Sequence, residues 1–392
     1  MKKTLISTVI LASVTSIANA QVSLHDYTEA TSSYKDSYIN GNLSLSNGRE
    51  DDQTAYQGDL SIDYDQVFSS PSVNTRLQGD AIGSFERGGV AGDERNDSYS
   101  GEVSYTRDSY FQANSNAGFW FGSATLGANS AFDNRDARGV FGVGYGRVKN
   151  VTPMARAIRV VEALEERGFI VNAPTVETYN KVANIVAIED EYRSKYGSRD
   201  YQQNWVGEII NILKDAGAIS QESGAAEVLR TFYVLDQERI STRRIGWVLR
   251  AGIGYAYQSF DRESDSDPTL EVGAEYHYPL SNSTQFSNEL TAFTILKNED
   301  DSYTLRNVMS LTHEISDRID WENSWTLDYI NDGQTDQDVT VNTLSSTFIY
   351  SINNELDYTL SVSSADFSGD EDLNNLNGTD TSVFMGLRYR LK

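Results

Sequence analysis

Trp247-Val248-Leu249-Arg250-Ala251-Gly252-Ile253-Gly254-Tyr255-Ala256-Tyr257 decides the fold. Its odd positions, Trp247, Leu249, Ala251, Ile253, Tyr255 and Tyr257, form one apolar face. A repeat of two places that face along an extended strand, because successive side chains point to opposite sides; a helix would bring together residues three and four apart. Leu270, Val272, Ala274, Tyr276 and Tyr278 repeat the pattern, alternating with Glu271, Gly273, Glu275 and His277. So do Trp321, Trp325, Leu327 and Tyr329, and Leu356, Tyr358, Leu360 and Val362. Residues 286–296, 303–314 and 339–350 alternate less cleanly.

The same period runs through the earlier chain. Ile39, Gly41, Leu43 and Leu45 alternate with Asn40, Asn42 and Ser44, and Tyr56, Gly58, Leu60, Ile62 and Tyr64 with Gln57, Asp59, Ser61 and Asp63. Residues 73–85, 99–110, 119–132 and 138–147 continue it. With about six strands before residue 148 and about eight after 244, the expected fold is an all-β transmembrane barrel of about 14 antiparallel strands, an even number as single-chain bacterial barrels require.

Composition agrees. The 392 residues hold 29 Gly, 23 Tyr and no Cys, and the formal charge is −25. That charge argues against nucleic acid, whose phosphates would repel it. No window has the run of apolar residues a membrane helix needs, but barrel strands present only alternate residues to lipid and escape that test. Lys2, Lys3, a short apolar stretch over 5–17 and Ala18-Asn19-Ala20 read as an export signal, residues 1–20, with cleavage before Gln21. The barrel then occupies 21–147 and 245–392. The turns around 279–283, 315–318 and 352–354 are short, whereas 261–267, 297–301, 331–338 and 366–379 read as longer acidic loops. Short periplasmic turns and long outer loops suit the bacterial outer membrane, with its lipids and lipopolysaccharide as partners.

Residues 148–244 break the period and are nearly balanced in charge. Thr152 as N-cap, Pro153, and Met154, Ile158, Val161 and Leu164 up to Gly168 predict one helix. A second is expected from Thr175 to near Gly197. A third carries Trp205, Ile209, Ile212 and Leu213 and stops at Gly217, and a fourth carries Val228, Leu229, Phe232 and Leu235. Four amphipathic helices can form a small bundle, periplasmic or plugging the barrel, and a periplasmic protein could be its partner.

The end of the chain, Phe384-Met385-Gly386-Leu387-Arg388-Tyr389-Arg390-Leu391, resembles the C-terminal signal read by the barrel-assembly machinery, with Gly386, Tyr389 and Leu391 as its marks. It departs from that signal in ending on Lys392 rather than an aromatic residue. Gly252-Ile253-Gly254-Tyr255, residues 270–278, Asn288-Glu289-Leu290-Thr291-Ala292, Asp320-Trp321-Glu322-Asn323-Ser324 and Leu327-Asp328-Tyr329 resemble the salt-stress-induced outer-membrane proteins over about 245–350. The resemblance implies location and barrel fold, and carries no catalytic residues.

Chemistry is sparse. His25, His277 and His313 are the only histidines, and with no Cys they make no recognisable zinc site. A hydrolytic triad around His313 and Glu314 lacks a nucleophile motif. Gly142, Gly144 and Gly146 lack phosphate-loop spacing, and acidic loops such as 261–267 lack a calcium-loop pattern. No cofactor, metal or catalytic residue is expected. The informative residues are those the period turns inward: Asp59, Asp63, Glu102, Glu271, Glu275, Glu322 and Asp328, with Arg250, Arg388 and Arg390, joined by Asp357 and Arg76. Two readings stay open. The charges line an acidic channel that selects passing ions, or they pair across the lumen and close it. The functional expectation is a passive or gated channel for small solutes. A structural protein anchoring the helical domain for an envelope partner is the alternative, and an outer-membrane hydrolase a third.

Overall fold

The computed structural model describes residues 22–28, 31–46, 53–113, 118–130, 134–222, 224–238, 240–260, 263–296, 302–333, 337–353, 355–369 and 377–391. The expected export signal, all of 297–301 and residues 370–376 of the expected 366–379 loop therefore lie outside the described residues. Fourteen antiparallel strands close into one barrel in which sequence neighbours are spatial neighbours and the last strand meets the first. The strands are β1 (Ser32–Ser46), β2 (Ala55–Ser69), β3 (Val73–Arg87), β4 (Asn96–Tyr110), β5 (Gly118–Asn129), β6 (Asn134–Asn150), β7 (Arg244–Phe260), β8 (Glu263–Ser281), β9 (Thr284–Ile295), β10 (Tyr303–Ser316), β11 (Ile319–Asp332), β12 (Gln337–Ser351), β13 (Leu356–Gly369) and β14 (Gly378–Arg390). The shortest have 12 residues, more than the ~9–11 a tilted strand needs to cross a bilayer.

Alternation sets the two faces. Leu43, Leu45, Leu126, Phe141, Val143, Ile253, Leu344 and Val383 are each at least 60% exposed, on the outward register. Leaving such side chains in water would be costly; in lipid they are in their own solvent. The predicted 261–267 loop is mostly strand: β7 reaches Phe260 and β8 restarts at Glu263, so this hairpin continues past the apolar band. Conversely, the strand expected over 119–132 stops at Asn129.

Between β6 and β7 stand α1 (Thr152–Glu165), α2 (Val176–Ala187), α3 (Glu189–Asp215) and α4 (Ala225–Gln237). The helix expected from Thr175 to Gly197 is two helices. Its N-cap is Thr175, whose hydroxyl accepts from the Thr178 amide, but it ends at Ala187. Gly197 is a kink inside α3 with φ +77°. Thr152 lies inside α1 rather than capping it; Val151 is the N-cap, and Asn150 Oδ1 accepts from both the Thr152 amide and hydroxyl.

The helices share a core of Met154, Ile158, Leu164, Val182, Trp205, Ile209, Leu213 and Val234, separate from the apolar cluster inside the barrel. Leu229 is not part of it and is exposed. Trp205 Nε1 donates to the Ile185 carbonyl at 2.7 Å, near the end of α2. After α1 and after α3 the chain makes the same turn. Phe169 N bonds Leu164 O and Gly168 N bonds Glu165 O; Ala218 N bonds Leu213 O and Gly217 N bonds Lys214 O. Both are Schellman motifs, which need the left-handed backbone of Gly168 and Gly217, φ +73° and +68°. Ile170 and Ile219, two residues beyond each glycine, then pair with each other. A short 3-10 turn, Leu24–Asp26, packs Leu24 and Tyr27 onto this core.

Candidate functional site: the lumen and its covered mouth

One side of the lumen is packed. Phe119 and Phe121 on β5 turn inward against the G-x-G-x-G run of β6 and are buried with Tyr110, Val140 and Val248. Gly142 and Gly144 leave the room. A Cβ on Gly142 would meet the Phe121 ring at 2.7 Å, and one on Gly144 would meet the Leu249 carbonyl at 2.7 Å. The glycines that resembled a phosphate loop are thus a bed for two aromatic rings.

A lattice of charges lies beside this wall. Arg76 bonds Asp65 at 3.1 Å and reaches Glu289 on β9, nearly opposite, at 3.4 Å. Arg244 bonds the same two acids, at 2.9 and 3.5 Å. Arg250 bonds Asp108 at 2.7 Å and also holds Glu275. His277, fully buried, places Nε2 3.4 Å from Glu275 and Nδ1 2.9 Å from the Ser287 hydroxyl. A cavity of about 210 Å³ is left among these groups.

Each predicted lumen residue sits on the inward register. Arg250 and Glu275 meet in the lattice. Glu271 pairs with Arg138 at 3.5 Å and Asp328 with Arg306 at 3.0 Å. Arg388 pairs with Asp357 at 3.2 Å, Arg390 with Asp36 at 3.3 Å, and Glu322 lines a cavity with both arginines. Asp63, Asp80 and Glu102 are direct cross-strand neighbours in one row over β2, β3 and β4, with Asp59 on the Asp63 register. Near the lattice the lumen is therefore charge-paired rather than acidic; the like charges are gathered in that row. Asp65, Asp108, Arg244 and Glu289 were missed. Asp65 and Asp108 were legible, being two residues after Asp63 and six after Glu102 on the same registers. Arg244 was not, because it stands where the helical segment ends. From β10 to β14 the inward wall changes character: Ser310, Ser324, Ser345, Ser363 and Ser382 form one row of small hydroxyls.

Of the proposed terminal signal, Gly386 faces inward under the Phe384 ring, and Tyr389 faces outward with its hydroxyl donating to Glu355. Leu391 donates its amide to the Ser37 carbonyl. His313 is on the outward register, with Nδ1 2.8 Å from the Thr284 hydroxyl, so no triad forms with the inward Glu314.

The helical domain covers the end of the barrel that carries the short turns. Its return segment, residues 240–243, runs along that mouth as a strap. Arg243 is wholly buried: it bonds Glu314 at the end of β10 at 2.5 Å and donates to the Asn282 carbonyl in the β8–β9 turn at 3.0 Å. The Ser241 amide also donates to Glu314. Arg159 on α1 ties Glu314 at 3.1 Å, Asp317 at 3.2 Å and Glu238 at 3.6 Å. Burial pushes the Glu238 carboxyl up, reinforced by Asp317 and opposed by Arg230 and Arg159. Burial likewise raises Glu162, beside Arg159.

Comparison with known proteins adds little to this geometry. Residues 238–352 match a family described as a protein of unknown function, DUF481. No curated protein matches the chain. Among solved structures it is similar to an outer-membrane channel from Pseudomonas putida F1, at 6% identity over 96% of this chain and 99% of that one, TM-score 0.35. It is also similar to the outer-membrane channel DcaP of Acinetobacter baumannii, 7% identical over 92% and 98%, TM-score 0.34. An anion-selective porin from Comamonas acidovorans is 8% identical over 92% and 100%, TM-score 0.31. Likenesses this low carry no solute, selectivity or activity to this chain.

Proposed function

We propose that this chain is an outer-membrane channel for small polar solutes, exported by a cleaved signal and gated from the periplasm by its helical domain. The observation that carries the reading is the strap. A segment of the helical domain lies in the mouth of the barrel, held by Arg243 to Glu314 on β10 and, where it enters β7, by Arg244 to Asp65 on β2 and Glu289 on β9. A structural barrel needs no such cover. Short turns at the covered end support placing that end in the periplasm. The match over 238–352 overlaps the stretch that resembles the salt-stress-induced proteins, and membership of that family is part of the proposal. No catalytic role is proposed.

The test is conductance in planar bilayers of the whole protein beside a variant in which residues 151–239 are replaced by a short Gly/Ser linker. The gated reading expects a folded barrel with much larger conductance. Equal conductance would refute it. The acidic row adds an expected cation preference: Asp80→Asn with Glu102→Gln should shift the reversal potential in a salt gradient toward that of a neutral pore.

A second reading has its own support. Leu229 and Tyr233, one turn apart on α4, are 68% and 47% exposed. An envelope protein docking there would make the barrel an anchor. Leu229→Asp with Tyr233→Ser would then release a co-purifying protein without changing conductance.

A further inference from the structure

Closure of this barrel is uneven. Along most of the wall each strand is laddered to its neighbours over nearly its whole length; β1 pairs with β2 from Ser32 to Ser46, and β14 with β13 from Gly378 to Tyr389. The seam where β1 meets β14 is different. Its ladder runs only from Tyr38–Arg390 to Gly41–Leu387. Its lower end is fastened further: the Leu391 amide donates to the Ser37 carbonyl, Arg390 bonds Asp36 at 3.3 Å, and the Arg388 guanidinium lies 4.4 Å over the Tyr38 ring. Above Gly41, among the described residues, no ladder joins the two strands.

The opening lies within the membrane rather than beyond it. Leu43 and Leu45 on β1, and Val383 and Met385 on β14, flank it on the outward register, each more than 60% exposed. Strand edges left unpaired at this depth cannot face hydrocarbon alone, since an N–H or C=O there has no water to bond. Polar partners must come from the lumen side. There the neighbouring wall is the hydroxyl row, with Ser382 donating to or accepting from Ser363 at 2.7 Å. The gap therefore has an apolar rim outside and a hydrogen-bonding wall inside.

We propose that the upper β1–β14 seam is a lateral portal between lumen and outer leaflet, occupied by a lipid-like amphiphile whose acyl chain lies among Leu43, Leu45, Val383 and Met385 and whose polar head meets the hydroxyl wall. The proposal rests on the reading of the barrel as membrane-embedded, but not on gating by the helices.

Having no native Cys, the chain suits single-cysteine labelling. Ser382→Cys and Ser310→Cys lie in one inward row, the first beside the seam and the second across the wall. Each is labelled with bimane in the full-length protein, reconstituted into phosphatidylcholine vesicles doped with phosphatidylcholine bearing a nitroxide on its acyl chain. The portal expects quenching several-fold stronger at 382 than at 310. Absence of quenching at both positions overturns it. Strong quenching at both overturns it together with the membrane-barrel reading, because Ser310 would then be open to lipid. A second arm uses Leu43→Cys with Met385→Cys, which a continued register would place opposite each other, against Ser364→Cys with Thr381→Cys in the intact β13–β14 ladder. Disulfide formation in membranes should lag well behind the control. Equal rates would show a zipped seam and overturn the portal. So would efficient dimers between the two single variants Leu43→Cys and Met385→Cys, which would assign the free edges to a second copy.

Discussion

Glu314 is the residue on which most of the covered mouth depends. It accepts from Arg243 and Ser241 in the strap and from Arg159 on α1, and its side chain is almost wholly buried. Removing one member of a buried pair leaves the other charged and desolvated, at a cost of about 3–5 kcal/mol. Glu314→Ala should free the strap, seen as protease cleavage within 240–243 while the barrel stays resistant; an intact strap would contradict this. Gly142 makes a separate demand, that of space. Gly142→Val would force the Phe121 ring and the β7 backbone apart, an overpacking cost of about 1–3 kcal/mol. The expected result is a lower unfolding temperature of the barrel with the helical domain unaffected.

At the scale of elements, the helical bundle has its own core, and its acids near Arg159 are strained toward protonation. Glu162 and Glu238 have folded values raised above the ordinary 4.5. A carboxyl raised on folding contributes stability that is fully present below the unfolded value and is lost as pH rises through the folded one. Docking of the helices should therefore be firmer in mildly acidic medium than at neutrality. Glu162→Gln with Glu238→Gln should flatten that dependence, read by hydrogen exchange of α1 and α4 across the range. A dependence of opposite sign would show that Arg159 and Arg230, not burial, govern these groups. β14 is the other element under test. Gly386→Asp would drive a carboxylate into the Phe384 ring, and Tyr389→Asp would put one on the outward face, so both should lower the yield of assembled barrel. Tyr389→Phe, which gives up the bond to Glu355 and keeps the ring, should assemble normally.

The whole molecule is expected to fractionate with the outer membrane, beginning at Gln21, and to migrate faster on electrophoresis before heating than after, as folded barrels do. Recovery in the soluble periplasm would sink that expectation. Alternation marked where most strands lie and which face each turns outward, because a period of two is a local property; it did not mark their limits, since β8 already begins at Glu263 and β5 stops at Asn129. Thr175, Gly168 and Gly217 likewise announced helix ends, since caps and left-handed turns depend on a few adjacent residues. The split at Ala187 was not legible, because apolar spacing continues through it. Nor was the meeting of Arg76 with Glu289, or of Arg244 with Asp65. Those pairs depend on how the lumen is packed once Phe119 and Phe121 settle on the glycines of β6, and on where the strap crosses the mouth. The short β1–β14 seam was equally hidden. Local periodicity says which residues face inward; only the closed chain, joining positions hundreds of residues apart, decides which of them touch and where the wall is left open.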